Sequence, residues 1–389
     1  MVSDISTKLA RHRFLVFGVL TFTISSIFFI TKTKKKLCNL NSYLNLVSVA
    51  YVIYGIILVS QTYAKPYDSS LENQVYDIKF EKSASSVEEI KKLPDIYYII
   101  LDSYTSSAAL KKYFSYDNNE FVHNLQKRGF YVAETSRSFA NSTAISIAST
   151  FNMTNDHRLL AEPTEICMKL IENSLVVKYL SSRSYEITNY SLFCLADKQP
   201  YYTYFSSFNG FNPWKMLENN LFNVAFQNFQ NGDMYKINKS IIFELKRMPE
   251  VRQNQPRFIY AHLFIPHEPM ILDRETNIIP WWKRKSILDK KAYVEQVQGT
   301  NKLVLEVIDN ILGKSKVQPV IIIQGDHGYR HGEHSKVTGF SILNAYYLPD
   351  KDYKYLYPNV SPFNSFRIIF NLYLKTKYEL LKDDYWGNE

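Results

Sequence analysis

Three short apolar runs, each followed closely by acidic or imidazole side chains, constrain this chain more than any other feature. The runs are IYYIIL (96–101), RFIYAHLF (257–264) and PVIIIQ (319–324). Nearly continuous apolar runs of this length are typical of parallel strands that are buried on both faces. Amphipathic helical patterns lie between them, at 118–129 and 292–312. This alternation predicts an α/β fold, with a doubly wound, mostly parallel sheet sandwiched by helices.

The residues just beyond these runs carry the candidate chemistry. Asp102 follows the first run, His267 follows the second within IPHEP, and Asp326 and His327 follow the third within QGDHG. In open α/β sheets, ligands bind beyond the carboxyl ends of the strands, which for parallel strands lie along one edge. Carboxylate oxygens and imidazole nitrogens together suit a divalent cation. A single aspartate after a strand is often only a turn former, so the agreement of several strand ends is what predicts a metal site.

A Ser/Thr-rich stretch, SFANSTAISIASTFNM (138–153), supplies a candidate nucleophile. It predicts a helix whose N-cap is Asn141 or Ser142, with Thr143 in the first turn. The N–H groups and dipole at a helix start favour an anion there. A hydroxyl at that place becomes a nucleophile when a divalent cation eases its deprotonation. Taken alone the stretch fits helix capping better, and the predicted metal site makes Thr143 a candidate.

Two uncharged runs near the N-terminus, at about 14–30 and 43–63, predict a membrane anchor of two transmembrane helices. At 1.5 Å per residue each run reaches about 25–30 Å, enough to cross the apolar core of a bilayer. Four lysines between 32 and 36 favour a cytoplasmic loop, which places the rest of the chain outside the cytoplasm. A cleaved signal peptide is the alternative for the first run, but a second apolar run follows it.

The chain is therefore expected to be a multi-pass cell-membrane protein with an extracytoplasmic domain. Its predicted parts are a membrane anchor (1–64), a polar linker (65–93) and a catalytic domain (94–389). The net charge of +9 comes from scattered lysines and arginines without a nucleic-acid-binding motif, so no nucleic-acid partner is expected. None of Cys38, Cys167 and Cys194 lies in a CxxC pair, which argues against a cysteine zinc site. Cys167 and Cys194 either form a disulfide or remain thiols.

Over roughly residues 94–375 the chain resembles the alkaline phosphatase superfamily, in its sulfatase-like, membrane-anchored bacterial branch. That branch includes lipoteichoic acid synthases and lipid A phosphoethanolamine transferases. The resemblance is carried by PDIYYIILDSY, GFYVAETSRSFANSTAISIASTFNM, HLFIPHEPM, IIIQGDHGYRHGEH and SPFNSFRIIFN.

The resemblance implies a metal centre and a nucleophile. Asp102, Asp326 and His327 resemble ligands of one divalent metal, and Thr143 resembles the nucleophile that becomes phosphorylated and also touches that metal. Mixed oxygen and nitrogen ligation favours Mn²⁺ or Zn²⁺, with Mg²⁺ or Ca²⁺ as alternatives. No second aspartate completes a second metal set, so one ion is expected.

The resemblance also implies substrate-binding histidines. His267 is similar to the histidine that binds the substrate phosphate or protonates the leaving group. His334, or alternatively His331, resembles a further histidine that binds the substrate or a second metal.

The implied function is metal-dependent phosphoryl or phosphodiester transfer or hydrolysis through a phospho-threonine intermediate. The expected substrate is a phospholipid, a glycolipid or an envelope polymer at the lipid bilayer. Sulfate-ester hydrolysis is less favoured, because no cysteine lies in a C-x-P-x-R pattern and Ser103 stands where sulfatases usually have a second acid. The alternative from another class is a catalytically degenerate domain that binds an envelope glycan or protein.

Overall fold

The computed structural model describes residues 93–201, 221–252 and 254–383, together with positions 21, 25, 28, 32, 42–43, 45–50 and 52–54. The chain divides into two compact units. The first comprises Met1–Asn73 and Pro213–Phe226, and the second comprises Gln74–Asn212 and Gln227–Glu389.

The predicted membrane anchor falls mostly outside the described residues. This holds for most of the two predicted spans, for Cys38 and for nearly all of the linker at 65–93. In the part of the chain that the structure describes, no helix has both the length and the apolar character needed to cross a membrane.

The second unit is built on one six-stranded sheet. Its strands are β1 (Ile96–Leu101), β2 (Tyr131–Val132), β3 (Glu186–Tyr190), β4 (Arg257–Leu263), β5 (Val320–Gln324) and β6 (Asn344–Tyr347). They lie in the order β2-β6-β5-β1-β4-β3. The α-helices are α1 (Ser107–Phe114), α2 (Asn119–Lys127), α3 (Thr143–Phe151), α4 (Thr164–Glu172), α5 (Leu175–Ser182), α6 (Leu221–Arg247, whose first six residues are assigned to the first unit), α7 (Lys290–Lys314), α8 (Ser335–Thr338) and α9 (Pro362–Tyr373).

The three strands predicted from apolar runs form the centre of this sheet. β1 pairs in parallel with both β4 and β5, and Ile96 lies opposite Phe258 on one side and Val320 on the other. β3 extends the parallel part beyond β4. On the other side β6 runs antiparallel to β5, and β2 runs antiparallel to β6. The sheet is therefore mostly parallel, as predicted, with an antiparallel pairing that the sequence did not predict.

Helices cover both faces of the sheet, which confirms the sandwich. Even-numbered residues of β1 join one apolar core, to which α3, α4, α5 and α9 contribute side chains. Odd-numbered residues of β1 join the other, shared with α1, α2, α6 and α7. This alternation follows from the pleat of a strand, which points successive side chains to opposite faces.

Cys167 and Cys194 are both free thiols. Cys167 is buried on α4, and burial raises the pKa of its thiol to about 12. The sequence left open whether these cysteines form a disulfide or remain thiols, and in the structure they are unpaired.

Candidate metal and active site

Two aspartates and a histidine meet at the carboxyl ends of adjacent strands. Asp102 directly follows β1, and Asp326 and His327 follow the neighbouring β5. One possible ligand atom from each of these three buried residues lies within 4.8 Å of the others. Nε2 of His327 is 3.6 Å from Oδ1 of Asp102 and 3.6 Å from Oδ2 of Asp326. The sheet therefore brings the three predicted ligands together.

The Asp326 carboxylate shows most directly that this cluster suits a cation. Its Oδ1 accepts a hydrogen bond from the backbone N–H of Ser103 at 3.1 Å. Its Oδ2 is buried and has no hydrogen-bond partner. A buried carboxylate oxygen without a partner is costly, and most buried polar atoms in folded proteins have one. Two carboxylates and an imidazole form a donor set that can hold a divalent cation.

His327 is held in the tautomer that a metal ligand needs. Its Nδ1 lies 2.8 Å from the carbonyl oxygen of Gly328 and donates to it. Nε2 then keeps its lone pair, and it lies 3.6 Å from an oxygen of each carboxylate. A second hydrogen bond of this kind is usual for histidines that bind metals, because it fixes the orientation of the ring.

Asp102 is oriented by a buried chain of side chains that the sequence interpretation missed. Tyr260 donates from its hydroxyl to Nδ1 of His262 at 3.1 Å, and Nε2 of His262 donates to Oδ2 of Asp102 at 3.2 Å. Burial by itself would raise the pKa of Asp102, but the nearby imidazoles, chiefly that of His267, hold this pKa below its usual range. The available signal was a histidine inside an apolar run, on the same strand face as Tyr260.

Ser103 links the two acidic strand ends and has an unusual backbone. Its φ is 64°, in the left-handed region that residues other than glycine rarely adopt. Its hydroxyl donates to Oδ1 of Asp102 at 3.3 Å and lies 3.4 Å from Nδ1 of His327. Ser103 also donates its backbone N–H to Asp326, so this uncharged residue contacts all three candidate ligands. Left-handed residues of this kind collect at functional sites, where surrounding contacts maintain the strain.

Thr143 is the first residue of α3 and faces the same cluster. Its Oγ1 lies 3.4 Å from Nε2 of His327. The preceding Ser142 is the N-cap, as the sequence allowed, but its side chain makes no capping hydrogen bond. The first N–H groups of a helix have no partner within the helix, so they can bind an anion beside the Thr143 hydroxyl.

His267 lies at the rim of the cluster, on the loop after β4. Its Nε2 is 4.0 Å from Oδ1 of Asp102, and its Nδ1 donates to the carbonyl oxygen of Glu268. Burial would lower the pKa of His267, but the carboxylates of Asp102 and Glu268 outweigh it and raise this pKa. Nη2 of Arg330 lies 3.1 Å from Nε2 of His267, which places a guanidinium beside the cluster. Sequence interpretation passed over Arg330, although it lies three residues after His327.

The two remaining candidate histidines lie further out. Nε2 of His331 is 2.8 Å from Oε1 of Glu268. The ring of His334 packs against that of Tyr113, with centroids 4.7 Å apart. Within the described ranges, no hydrogen bond or ion pair joins His334 to Asp102, Asp326 or His327. The substrate-binding role of His334 stays a prediction.

Comparison with known proteins finds likeness in structure alone. No protein-family model and no curated protein matches the chain. The structure is similar to the zinc complex of the C-terminal periplasmic domain of EptC from Escherichia coli, with 10% identity over 72% of this chain and 82% of that chain, at a TM-score of 0.43. It is similar to the integral membrane lipooligosaccharide phosphoethanolamine transferase EptA from Neisseria meningitidis, with 14% identity over 94% of this chain and 76% of that chain, at a TM-score of 0.44. It is also similar to a candidate sulfatase, yidJ, from Bacteroides fragilis, with 10% identity over 78% of each chain, at a TM-score of 0.48. These names agree with the enzyme classes that the sequence resemblance predicted.

Proposed function

We propose that this protein is a membrane-anchored, metal-dependent phosphoryl or phosphodiester transferase or hydrolase that acts on a cell-envelope substrate. One observation carries the proposal. The hydroxyl of Thr143, at a helix start able to bind an anion, lies 3.4 Å from a histidine of a buried cluster that can hold a cation. A candidate nucleophile, a helix start that can bind an anion and a cluster that can hold a cation therefore lie next to one another.

The cation would be a single Zn²⁺ or Mn²⁺, with Mg²⁺ or Ca²⁺ as alternatives. Asp102, Asp326 and His327 would hold it, and Thr143 would complete the set. When bound, such an ion eases deprotonation of a neighbouring hydroxyl and neutralises charge that develops on phosphate oxygens. The unpartnered Oδ2 of Asp326 supports this assignment.

The proposed reaction has two steps. The Thr143 hydroxyl gives its proton to solvent, and Oγ1 attacks phosphorus as an alkoxide, so that a Thr143–phosphorus bond forms and the bond from phosphorus to the leaving oxygen breaks. His267, beside the cluster, protonates the departing alkoxide. An acceptor hydroxyl or water then attacks phosphorus and loses its proton to His267, the Thr143–phosphorus bond breaks, and Oγ1 takes a proton from solvent to restore the Thr143 hydroxyl. The N–H groups at the start of α3, together with Arg330, bind the phosphate oxygens.

Membrane anchoring rests on the two uncharged runs and on exposed apolar side chains in the second. Leu46, Val49, Val52 and Ile53 are helical and exposed. Contiguous exposed apolar side chains of this kind mark an interaction site, and a bilayer fits a run without charges. The proposed parts are a multi-pass anchor (1–64), a linker (65–93) and an extracytoplasmic catalytic domain (94–389). The substrate is then a phospholipid, a glycolipid or an envelope polymer.

The test is a search for the covalent intermediate in the full-length protein in detergent. The protein is incubated with a chromogenic phosphodiester, and intact mass and bound metal are recorded, with Thr143→Ala in parallel. A metal-dependent mass increase in the wild type that Thr143→Ala lacks is the expected result. Finding neither metal nor adduct would support the degenerate binding domain instead. A metal-dependent adduct that survives in Thr143→Ala would disprove the assignment of the nucleophile.

A second measurement separates transfer from hydrolysis, since both share the first step. The products of the full-length enzyme are analysed with and without a lipid acceptor that carries free hydroxyl groups. A phosphorylated acceptor identifies a transferase, and release of the phosphoryl group to water alone identifies a hydrolase.

A further inference from the structure

A short segment beside the candidate site exposes large apolar side chains between basic ones. We call residues 278–288, with the sequence IIPWWKRKSIL, the Trp282 loop. Trp282 is 67% exposed, Leu288 is 60% exposed, Ile278 is 50% exposed and Ile287 is 41% exposed. Single exposed apolar residues are ordinary on a protein surface. Four within eleven residues form a group, and grouped exposure of this kind marks an interaction site.

The charges of the loop are all of one sign. Lys283, Arg284 and Lys285 are consecutive, and the loop contains no aspartate or glutamate. Lys283 and Lys285 are exposed, and neither makes an ion pair with a carboxylate of the described residues. Arg284 is less accessible, since its Nε donates to the carbonyl oxygen of Ile279 at 3.0 Å and its Nη1 is buried. The two exposed lysines are thus available for an anionic partner.

Tryptophan, aliphatic residues and lysines together match the boundary layer of a bilayer. Tryptophan is enriched where headgroups meet acyl chains. Aliphatic side chains partition into that layer, while lysine and arginine bind anionic lipid headgroups at its surface. The predicted transmembrane runs of the same chain also favour lipid as the nearby partner. We propose that the Trp282 loop docks on an anionic lipid surface.

Both ends of the loop are fastened to segments that carry site residues. At the first end, Ile278 forms an isolated β-bridge with Leu272, and Ile279 N–H donates to the carbonyl oxygen of Ile271 at 2.8 Å. This pairing partner lies just after His267 in the chain. At the other end, the Tyr329 hydroxyl donates to the carbonyl oxygen of Ile287 at 2.5 Å.

The lipid-docked loop therefore holds the rim of the site near the headgroups. Tyr329 is two residues after His327, so the Ile287 end of the loop is hydrogen-bonded to the same segment that carries Asp326 and His327. The placement of the site near the headgroups matters for catalysis only if the proposed function is correct. In that case the substrate would be a lipid headgroup. The docking itself does not depend on the reaction.

Lipid contact is measured by tryptophan fluorescence on the full-length protein reconstituted in vesicles. The vesicles contain phospholipids brominated on their acyl chains, which quench nearby indole rings, with or without phosphatidylglycerol as the anionic lipid. The sequence has four tryptophans, so the emission of Trp282 is obtained as the difference between wild type and Trp282→Leu. Leucine keeps the apolar character of the position.

Docking predicts that bromolipid reduces the Trp282 emission about twofold or more in anionic vesicles. The double variant Lys283→Gln/Lys285→Gln should lose most of this quenching. The matched double variant Lys127→Gln/Lys316→Gln, which changes two exposed lysines elsewhere, should keep it.

Two results would overturn the docking proposal. One is a Trp282 emission that bromolipid leaves unchanged in both kinds of vesicle. The other is an emission that changes with protein density and not with lipid composition, because that result assigns the loop to a contact between copies of the chain. Neither bears on the covalent adduct at Thr143, so this proposal and the proposed function can fail separately.

Discussion

The Oγ1 atom of Thr143 lies 3.4 Å from Nε2 of His327, although 184 positions separate the two residues in the chain. If Thr143 is the nucleophile, Thr143→Ala should reduce phosphodiester turnover by on the order of 10³-fold or more, because the attacking atom is gone. Thr143→Ser keeps a hydroxyl and should retain a measurable part of the activity. Initial rates on a chromogenic phosphodiester test this. Equal activity of the alanine and serine variants would contradict the assignment.

Asp326→Asn should weaken metal binding and at the same time raise the stability of the metal-free protein. The amide oxygen can still accept the hydrogen bond from the N–H of Ser103, while the substitution removes the buried charge at the unpartnered oxygen. The metal-free variant should therefore unfold at a higher temperature than metal-free wild type. Zinc at 100 times its Kd should stabilise wild type by about 2.7 kcal/mol and the variant far less.

Thermal unfolding with EDTA and with added zinc checks this prediction. Asp197→Asn changes an exposed aspartate and should behave like wild type in both conditions. A metal-free Asp326→Asn protein that is less stable than metal-free wild type would argue against the cation interpretation of this carboxylate.

His262→Phe should weaken metal binding without removing a ligand. His262 orients Asp102, and loss of such an orienting partner typically costs about 10- to 100-fold in metal affinity. Tyr260→Phe should have a smaller effect in the same direction, because it leaves His262 in place with one hydrogen bond fewer. Competition titration with a zinc indicator gives the affinities. His123→Gln, an exposed change on α2, is the matched control, and an equal loss there would dismiss the orienting role.

Arg330→Gln should raise KM for a phosphate substrate more than it lowers kcat. A charge-assisted hydrogen bond to phosphate contributes about 1.5–3 kcal/mol, so a change of about 10- to 100-fold is expected. Arg330→Lys should recover part of the loss, since it keeps the charge without the forked geometry. Steady-state kinetics on a phosphodiester provide the measurement, with the exposed Arg274→Gln as the control. An unchanged KM in Arg330→Gln would place the guanidinium outside the substrate site.

Gly328→Ala should be far more damaging than Gly313→Ala. A Cβ at Gly328 would collide with the carbonyl oxygens of Thr338 and Ser341, whereas a Cβ at Gly313 meets nothing within 4 Å. Overpacking costs typically about 1–3 kcal/mol, and here it also displaces the neighbouring His327. Gly313→Ala on α7 should instead stabilise the protein by about 0.5–1 kcal/mol. Denaturant unfolding compares the two, and a Gly328→Ala protein as stable as wild type would show that the loop can move aside.

The central strands could be predicted because burial on both faces leaves an unbroken apolar run. The predicted 96–101 coincides with β1, and 257–264 and 319–324 differ from β4 and β5 by one residue each. The outer strands gave no such signal. β2 has two residues, while β3 reads EITNY and β6 reads NAYY, so pairing with neighbours in space determines these strands more than their own composition does.

The candidate site was predictable where its residues follow strands or begin a helix. Asp102, Asp326, His327 and Thr143 belong to this group, and the structure brings them together. His262 could not be assigned, because its contact with Asp102 depends on the pairing of β4 with β1. Arg330 could not be assigned either, because its contact with His267 joins residues 63 positions apart in two different loops.

The 3.1 Å hydrogen bond from Ser103 to Asp326 joins residues 223 positions apart, so the two sides of the candidate cation site are synthesised far apart in time. Asp102 leaves the ribosome early, but its two partner ligands follow only after β4, α7 and β5 have been made. Contacts between distant parts of a chain form late, since a long loop must close first. A half-made chain consequently lacks the complete set of candidate ligands. If the cluster binds a divalent ion as proposed, the chain would take it up only after the last central strand has joined the sheet.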